Sequence, residues 1–351
     1  MPPKGEVCRL DSDAAHDPAC ISIIVITLNE EKNVRDLLDS MLHLDYPSDC
    51  YEVVVVDASS DSTPSIVREY PSVRLILTDE IGFATQKNLG LAQTSHPIVA
   101  CTDADCTIPS DWLHVIDVAM RNEKLAGIGG NAYAPPRATF IELCYASVGH
   151  PAGGAVGLDG NVTPTQDGIE FIGGCNSVYR RSVLEDVGGF DTAFDGGGED
   201  VDISRRLKSA GHFIDYVPEL TVYHMPRTSI AEYWRWNLRV GSTKYNLHKP
   251  SLLRLIFEPS FSLWSVVIMG VLLWLVFMKP LTLLPVALLG WVAYLVFLYV
   301  GAKPYPLLLK RRRRIGLPLW ACLTIVPFLI YIRQLAINIG EFRERRIIRG
   351  H

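Results

Sequence analysis

The chain has 351 residues, nearly half of them apolar, and a formal net charge of −5. An acidic balance argues against nucleic acid as the main partner. Eight cysteines without a Cys-x-x-Cys pair argue against a disulfide framework and a zinc site, so the thiols read as reduced and cytoplasmic.

In chain order, residues 1–20 are polar and proline-containing, without a signal-peptide pattern, and read as a flexible leader. Ile21–Thr27 is short, β-branched and almost wholly apolar, as a buried parallel strand should be. Asn29–Leu42 carries Val34, Leu37, Leu38, Met41 and Leu42 at helical spacing. Glu52–Asp57 reads as the second strand, and Ser60-Asp61-Ser62 ahead of Pro64 as a helix start. Val73–Leu77 is a third strand, Gly82–Ala92 a third helix and Ile98–Thr102 a fourth strand. This βαβαβαβ order predicts a doubly wound, mostly parallel sheet with helices on both faces.

Three of these strands end in polar groups: Thr27-Leu28-Asn29-Glu30, Asp57-Ala58-Ser59-Ser60-Asp61 and Asp103-Ala104-Asp105. Open α/β sheets bind ligands at the carboxyl ends of their strands. Carboxylates there suit ribose hydroxyls and base donors, and the Asp-x-Asp pair offers hard oxygen ligands to Mg²⁺ or Mn²⁺ bridging to phosphates. Gly-x-Gly-x-x-Gly and Walker motifs are lacking, which excludes dinucleotide and P-loop sites of the usual kind. Capping alone explains Asp61.

The series Ile21–Glu31, Val55–Thr63, Gly82 with Lys87–Gly90, Asp103–Asp105, Gly173–Asn176 with Arg180-Arg181, Gly188–Asp191 and Gly198–Asp202 with Arg206 resembles family 2 glycosyltransferases of the GT-A fold. The likeness covers about residues 20–225, and its one departure is Ile26, where many members carry proline. It implies that Thr27, Asn29, Glu30, Asp57, Ser59, Lys87 and Asp103 bind the nucleotide. It also implies that Asp105, with Asp103 and His224, holds the metal. Asp200 would be the catalytic base with Glu199 beside it, and Gly174, Asn176, Asp202 and Arg206 would serve sugar and acceptor. A hydroxyl nucleophile needs such a base, and Gly196-Gly197-Gly198 ahead of it reads as a loop able to close on substrate. One base and one displacement imply inversion. A UDP-sugar is the expected donor, ahead of a GDP-sugar. Arg137–Thr165, with its apolar stretch, is expected to help form the acceptor site.

The GT-A domain is thus expected over 21–228. Residues 229–260, with Tyr233-Trp234-Arg235-Trp236 and Arg239, read as an interfacial helical linker in the head-group layer. Residues 261–351 read as a membrane domain. Phe261–Met278 and Leu281–Ala302 are uncharged and close to the ~20 residues a spanning helix needs. A third apolar segment, 315–339, is broken by Pro318, Pro327 and Arg333 and reads as re-entrant or interfacial. From Lys303 onward there are eleven Lys/Arg against two Asp/Glu, leaving −14 on the remainder. The run Lys310–Arg314 sets the tail, and with it the catalytic domain, on the cytoplasmic side of the cell membrane. Partners are then a nucleotide-sugar, membrane lipids and a lipid-linked hydroxyl acceptor, without nucleic acid. A polyprenyl-phosphate sugar synthase and a non-catalytic membrane scaffold are the alternatives. An acceptor phosphate needs no base, so Glu199-Asp200 weighs against the first, and the intact acids against the second.

Overall fold

The computed structural model describes residues 17–148, 164–165, 168–248, 289–292, 294–296, 299 and 304–349. The predicted span 261–278 lies wholly outside the described residues, as do most of 281–302 and about half of the segment assigned to the acceptor.

β1 (Ile21–Thr27), β2 (Tyr51–Asp57), β3 (Val73–Leu77) and β4 (Ile98–Asp103) pair in parallel in the order β3-β2-β1-β4. β1 is buried along its whole length, which is why it reads as an unbroken apolar run rather than an alternating one. α1 (Val34–Met41), α2 (Thr63–Val67) and α3 (Phe83–Ala92) connect these strands. α1 begins five residues later than its periodicity predicts. Asn29 sits at φ 59° and its side-chain oxygen accepts from Ser60 N, so the chain is held in a turn before the helix can start.

The second half adds β5 (Cys106–Thr107), α4 (Trp112–Met120), β6 (Leu125–Tyr133), α5 (Phe140–Ala146), β7 (Pro164–Thr165), β8 (Gly168–Ile169), β9 (Asn176–Arg180), α6 (Arg181–Asp186), α7 (Glu199–Ser209) and β10 (Phe213–His224). β9 inserts antiparallel between β4 and β6, and β10 lies parallel to β6. The sheet is therefore mixed beyond β4. Two apolar clusters fill its faces, one around Ile23, Val25, Leu38, Val55 and Trp112, the other around Ile24, Val99, Tyr179 and Ile203.

Gly130 marks the closest packing in this half. A Cβ there would lie 1.9 Å from Leu220 O and 2.5 Å from Asn176 Nδ2. Asn176 explains the crowding: its amide donates to Asn131 O and Leu220 O and accepts from Trp112 Nε1, pinning β9, β6, β10 and α4 together.

After β10 come α8 (Ile230–His248), α9 (Pro304–Arg311), α10 (Leu319–Leu323) and α11 (Ile325–Arg349). Among the described residues, one helix, over Leu319–Arg345, is long and apolar enough to cross a membrane, by length and composition. α8 packs along α11 with near backbone contact, since a Cβ on Gly241 or Gly340 would lie 2.1 Å from Ile337 O or Leu238 O respectively. Lys244 bonds Glu341 at 2.6 Å across the same seam.

Candidate active site

The carboxyl ends of β1 and β4 open on a cleft of about 210 Å³ lined by Thr27, Glu30, Gln86, Asp103, Asp105, His224, Arg227, Trp236 and Arg239 among others, and the end of β2 pairs with that of β1 beside it. Position alone assembles the first wall. Thr27 and Ser59 both donate to Asp57 Oδ1, while Asp57 Oδ2 is buried without a protein partner. A buried acceptor left open in this way is a place for a ligand donor. Gln86 joins the two strand ends by donating to Thr27 O and Val56 O at 3.0 Å. Asn29 and Ser59 tie the two loops to each other, since Ser59 Oγ accepts from Asn29 N at 2.7 Å.

The acidic centre lies at the end of β4. His224 Nδ1 is 3.1 Å from Met225 O, an acceptor only, so it carries a proton and Nε2 faces the acids. That Nε2 is 3.4 Å from Asp105 Oδ1 and 3.7 Å from Asp103 Oδ2. Burial opposes a charge on this ring, but Asp105 and Asp103 overcome it and push its pKa up to about 10. A protonated imidazole thus stands where a cation is wanted, and the two carboxylates beside it are oxygen donors of the kind a divalent metal takes. Glu30 borders the same charge. Burial, then Asp105, raise its carboxyl to about 7.

Lys87 lies behind these acids. Its ammonium bonds Glu199 Oε1 at 2.7 Å, with both side chains almost fully buried. Asp200, one residue on, opens α7. Its Oδ1 accepts from Val201 N and its Oδ2 from Gly174 N. Burial and then Glu199 raise its pKa, with Lys87 and the two amides opposing, and the result is about 6. That value leaves a base ionised at neutral pH yet basic enough to take a proton. Gly174 must be small, because a Cβ would press on Lys87 Nζ and Glu199 Oε1 at 3.2 and 3.3 Å.

Not every sequence-predicted residue reaches the cleft. Asn176 is a buried post of the sheet, its amide occupied by the three partners above. Asp202 and Arg206 pair with each other at 2.7 Å, and Arg206 Nη1 holds Val187 O, so the two brace α7 against the turn after α6. Lys87 faces Glu199 rather than an open phosphate site. Polar residue type does not distinguish such braces from ligand contacts.

Conversely, Arg227, Trp236, Arg239 and Asp195 line the cleft without having been singled out for it. Arg227 and Arg239 lie 4.6 and 5.0 Å from the Trp236 ring centroid, and Arg239 also lies 5.4 Å from that of Phe83. Arg227 Nη1 is 3.8 Å from Asp105. Asp195 holds the glycine loop to α3 by accepting from Thr85 N and Thr85 Oγ1. A basic residue three positions after the metal-edge histidine was the available signal for Arg227. The Trp-x-x-Arg spacing in α8 was read for the membrane interface instead.

The sheet order, the acid-ended parallel strands and the cleft above them define a GT-A domain. Residues 22–188 match the Glycosyl transferase family 2 model, and the chain carries a domain of that family. It is 27% identical over 278 residues to the poly-beta-1,6-N-acetyl-D-glucosamine synthase of Staphylococcus epidermidis, covering 73% of this chain and 65% of that one. It is 28% identical over 262 residues to the glycosyltransferase AglE of Haloferax volcanii, covering 70% and 80%. The chain thus spans a little under two thirds of the staphylococcal synthase. Among solved structures, the mannosyltransferase PcManGT of Pyrobaculum calidifontis, held with GDP-mannose and Mn²⁺, shares the fold at TM-score 0.54 and 21% identity over 94% of this chain and 90% of that one.

Proposed function

We propose that the protein is an inverting, metal-dependent glycosyltransferase that moves a sugar from a nucleotide-diphosphate sugar to a hydroxyl of a lipid-linked acceptor at the cytoplasmic face of a membrane. The observation that carries the reading is the pairing of two different acid sites. Two carboxylates, Asp103 and Asp105, flank His224 at the sheet edge, and a separately tuned carboxylate, Asp200, lies across Lys87 from them. The mannosyltransferase held with GDP-mannose and Mn²⁺ favours a nucleotide-sugar donor, and a UDP-sugar is the donor the family resemblance implies.

In this reading Asp57 Oδ2 and Thr27 take donors of the nucleoside, with Glu30 and Ser59 shaping the same wall. Asp103, Asp105 and His224 would hold a divalent ion, Mg²⁺ or Mn²⁺, and such an ion would supply charge stabilisation to a departing diphosphate. Arg227 and Arg239 supply further positive charge from the opposite wall. Asp200 takes the acceptor hydroxyl proton as the new glycosidic bond forms and the bond from the anomeric carbon to the phosphate oxygen breaks. The amides of Val201 and Gly174 hold Asp200 in place, and Glu199 and Lys87 tune its charge in opposite directions. One displacement from the face opposite the leaving group inverts the anomeric centre. The apolar helix over Leu319–Arg345, packed on the cleft-lining α8, favours an acceptor presented at a bilayer.

The test is nucleotide-diphosphate release and product analysis in detergent, with Mn²⁺ or Mg²⁺, UDP- and GDP-sugars and a membrane lipid extract. Metal-dependent release with a glycolipid product, abolished in Asp200→Asn, supports the reading. Transfer that survives Asp200→Asn and yields an acid-labile sugar phosphate overturns the hydroxyl acceptor. Absence of nucleotide binding overturns the transferase reading.

A further inference from the structure

Two cysteines that no spacing motif connects meet beneath the acidic centre. Cys106 follows Asp105 directly on β5, and Cys175 precedes β9. Both are buried, and their side chains are hydrogen-bond neighbours. Ligand atoms of Asp103, Cys175 and His224 all lie within 4.8 Å of one another, and so do those of Asp105, Cys106 and His224. One imidazole is therefore shared by two carboxylates and two thiols.

Donor chemistry separates the two sides of this cluster. Facing the cleft are carboxylates, a set suited to Mg²⁺ or Mn²⁺. Cys106 and Cys175 are buried and do not line the cleft, and two sulfurs with the shared imidazole are a set that favours thiophilic ions of the zinc class, which also lie higher in the affinity order. Nδ1 of His224 is already anchored on Met225 O, the kind of outer bond that orients a metal-binding imidazole. An ion here would draw its ligands to about 2.0–2.3 Å, the usual distances for nitrogen, oxygen and sulfur on zinc.

We propose that Cys106, Cys175 and His224, completed by Asp105 or Asp103, form a binding site for a thiophilic divalent cation such as Zn²⁺. Binding converts the two thiols to thiolates and releases their protons to solvent. The site draws on the same acids and imidazole as the cleft-facing position, so Zn²⁺ and Mn²⁺ occupy the centre in competition. The inference concerns metal binding alone and stands or falls without regard to nucleotide or acceptor.

The test uses the reduced, metal-free full-length protein in detergent, titrated anaerobically with Co²⁺. The expected result is a thiolate-to-cobalt charge-transfer band in the near ultraviolet that saturates at one equivalent. One equivalent of Zn²⁺ bleaches it, and a large excess of Mg²⁺ leaves it unchanged. Cys106→Ser and Cys175→Ser each weaken the band and together abolish it, whereas Cys144→Ser, in a separate apolar cluster, retains it. X-ray absorption of the zinc-loaded wild type keeps the test independent of how the variants fold. Two sulfur scatterers at about 2.3 Å are expected. An all oxygen and nitrogen shell, a failure to bind cobalt, or a band that persists in the double Ser variant overturns the proposal.

Discussion

Lys87→Met tests the electrostatics of the base most directly. The native ammonium neutralises Glu199 inside the protein, with side chains 3% and 7% exposed, and it opposes the upward shift of Asp200. Removing it leaves Glu199 as an uncompensated buried charge, a change that costs about 3–5 kcal/mol in comparable pairs. It also removes a cation that favours the ionised form of Asp200, so that pKa rises further above about 6. The base must be ionised to act, so activity climbs as pH rises through that value. In Lys87→Met the acid limb of kcat/KM therefore moves to higher pH by about one unit, ~1.4 kcal/mol. The assay is diphosphate release against pH beside a thermal melt of the same preparation. Lys87→Met/Glu199→Gln removes both charges, recovers most of the lost stability and moves the limb back down. A single variant that melts low with its acid limb still near 6 refutes the electrostatic role. One that melts normally refutes the buried pair.

Asp105→Asn is expected to lower metal-supported turnover about 10²–10³-fold, read as kcat at saturating Mn²⁺. Arg239→Ala, which removes a cleft cation, should weaken nucleoside-diphosphate binding by about 1.5–3 kcal/mol in calorimetry while leaving the melt of the sheet unchanged. Asn176→Ala should behave oppositely, losing about 1–3 kcal/mol of stability by chemical denaturation with KM for the donor unaltered. Gly340→Leu overpacks the α8–α11 seam at a cost of about 1–3 kcal/mol. Because α8 carries Arg239, nucleotide affinity should fall with it, which a paired melt and titration will show.

The parallel half of the sheet was legible because its central strands are mostly buried and its strands are short apolar runs bounded by turn residues. Ile21–Thr27 and Val73–Leu77 are found with the predicted bounds, and Asp57, Asp103 and Asp105 stand at the strand ends where the motif series put them. What the sequence did not disclose depends on contacts between distant residues. Asn176 and the Asp202–Arg206 pair look like ligand groups by type, yet their partners are backbone carbonyls, an indole and each other. Trp236 and Arg239 fit a membrane-interface pattern equally well. Only the fold of α8 over Phe83 turns that face toward the cleft. The pairing of Cys106 with Cys175 requires β9 to enter antiparallel beside β4, a step that no local periodicity encodes.

The glycine seam between α8 and α11 has a mechanical meaning. Helices in near backbone contact cannot slide without losing that contact, so they tilt as one body. Were α11 to cross a bilayer, its inclination would follow hydrocarbon thickness. Trp236 and Arg239 ride on its rigid neighbour, so such a tilt would carry both side chains with it and change the width of the cleft they line.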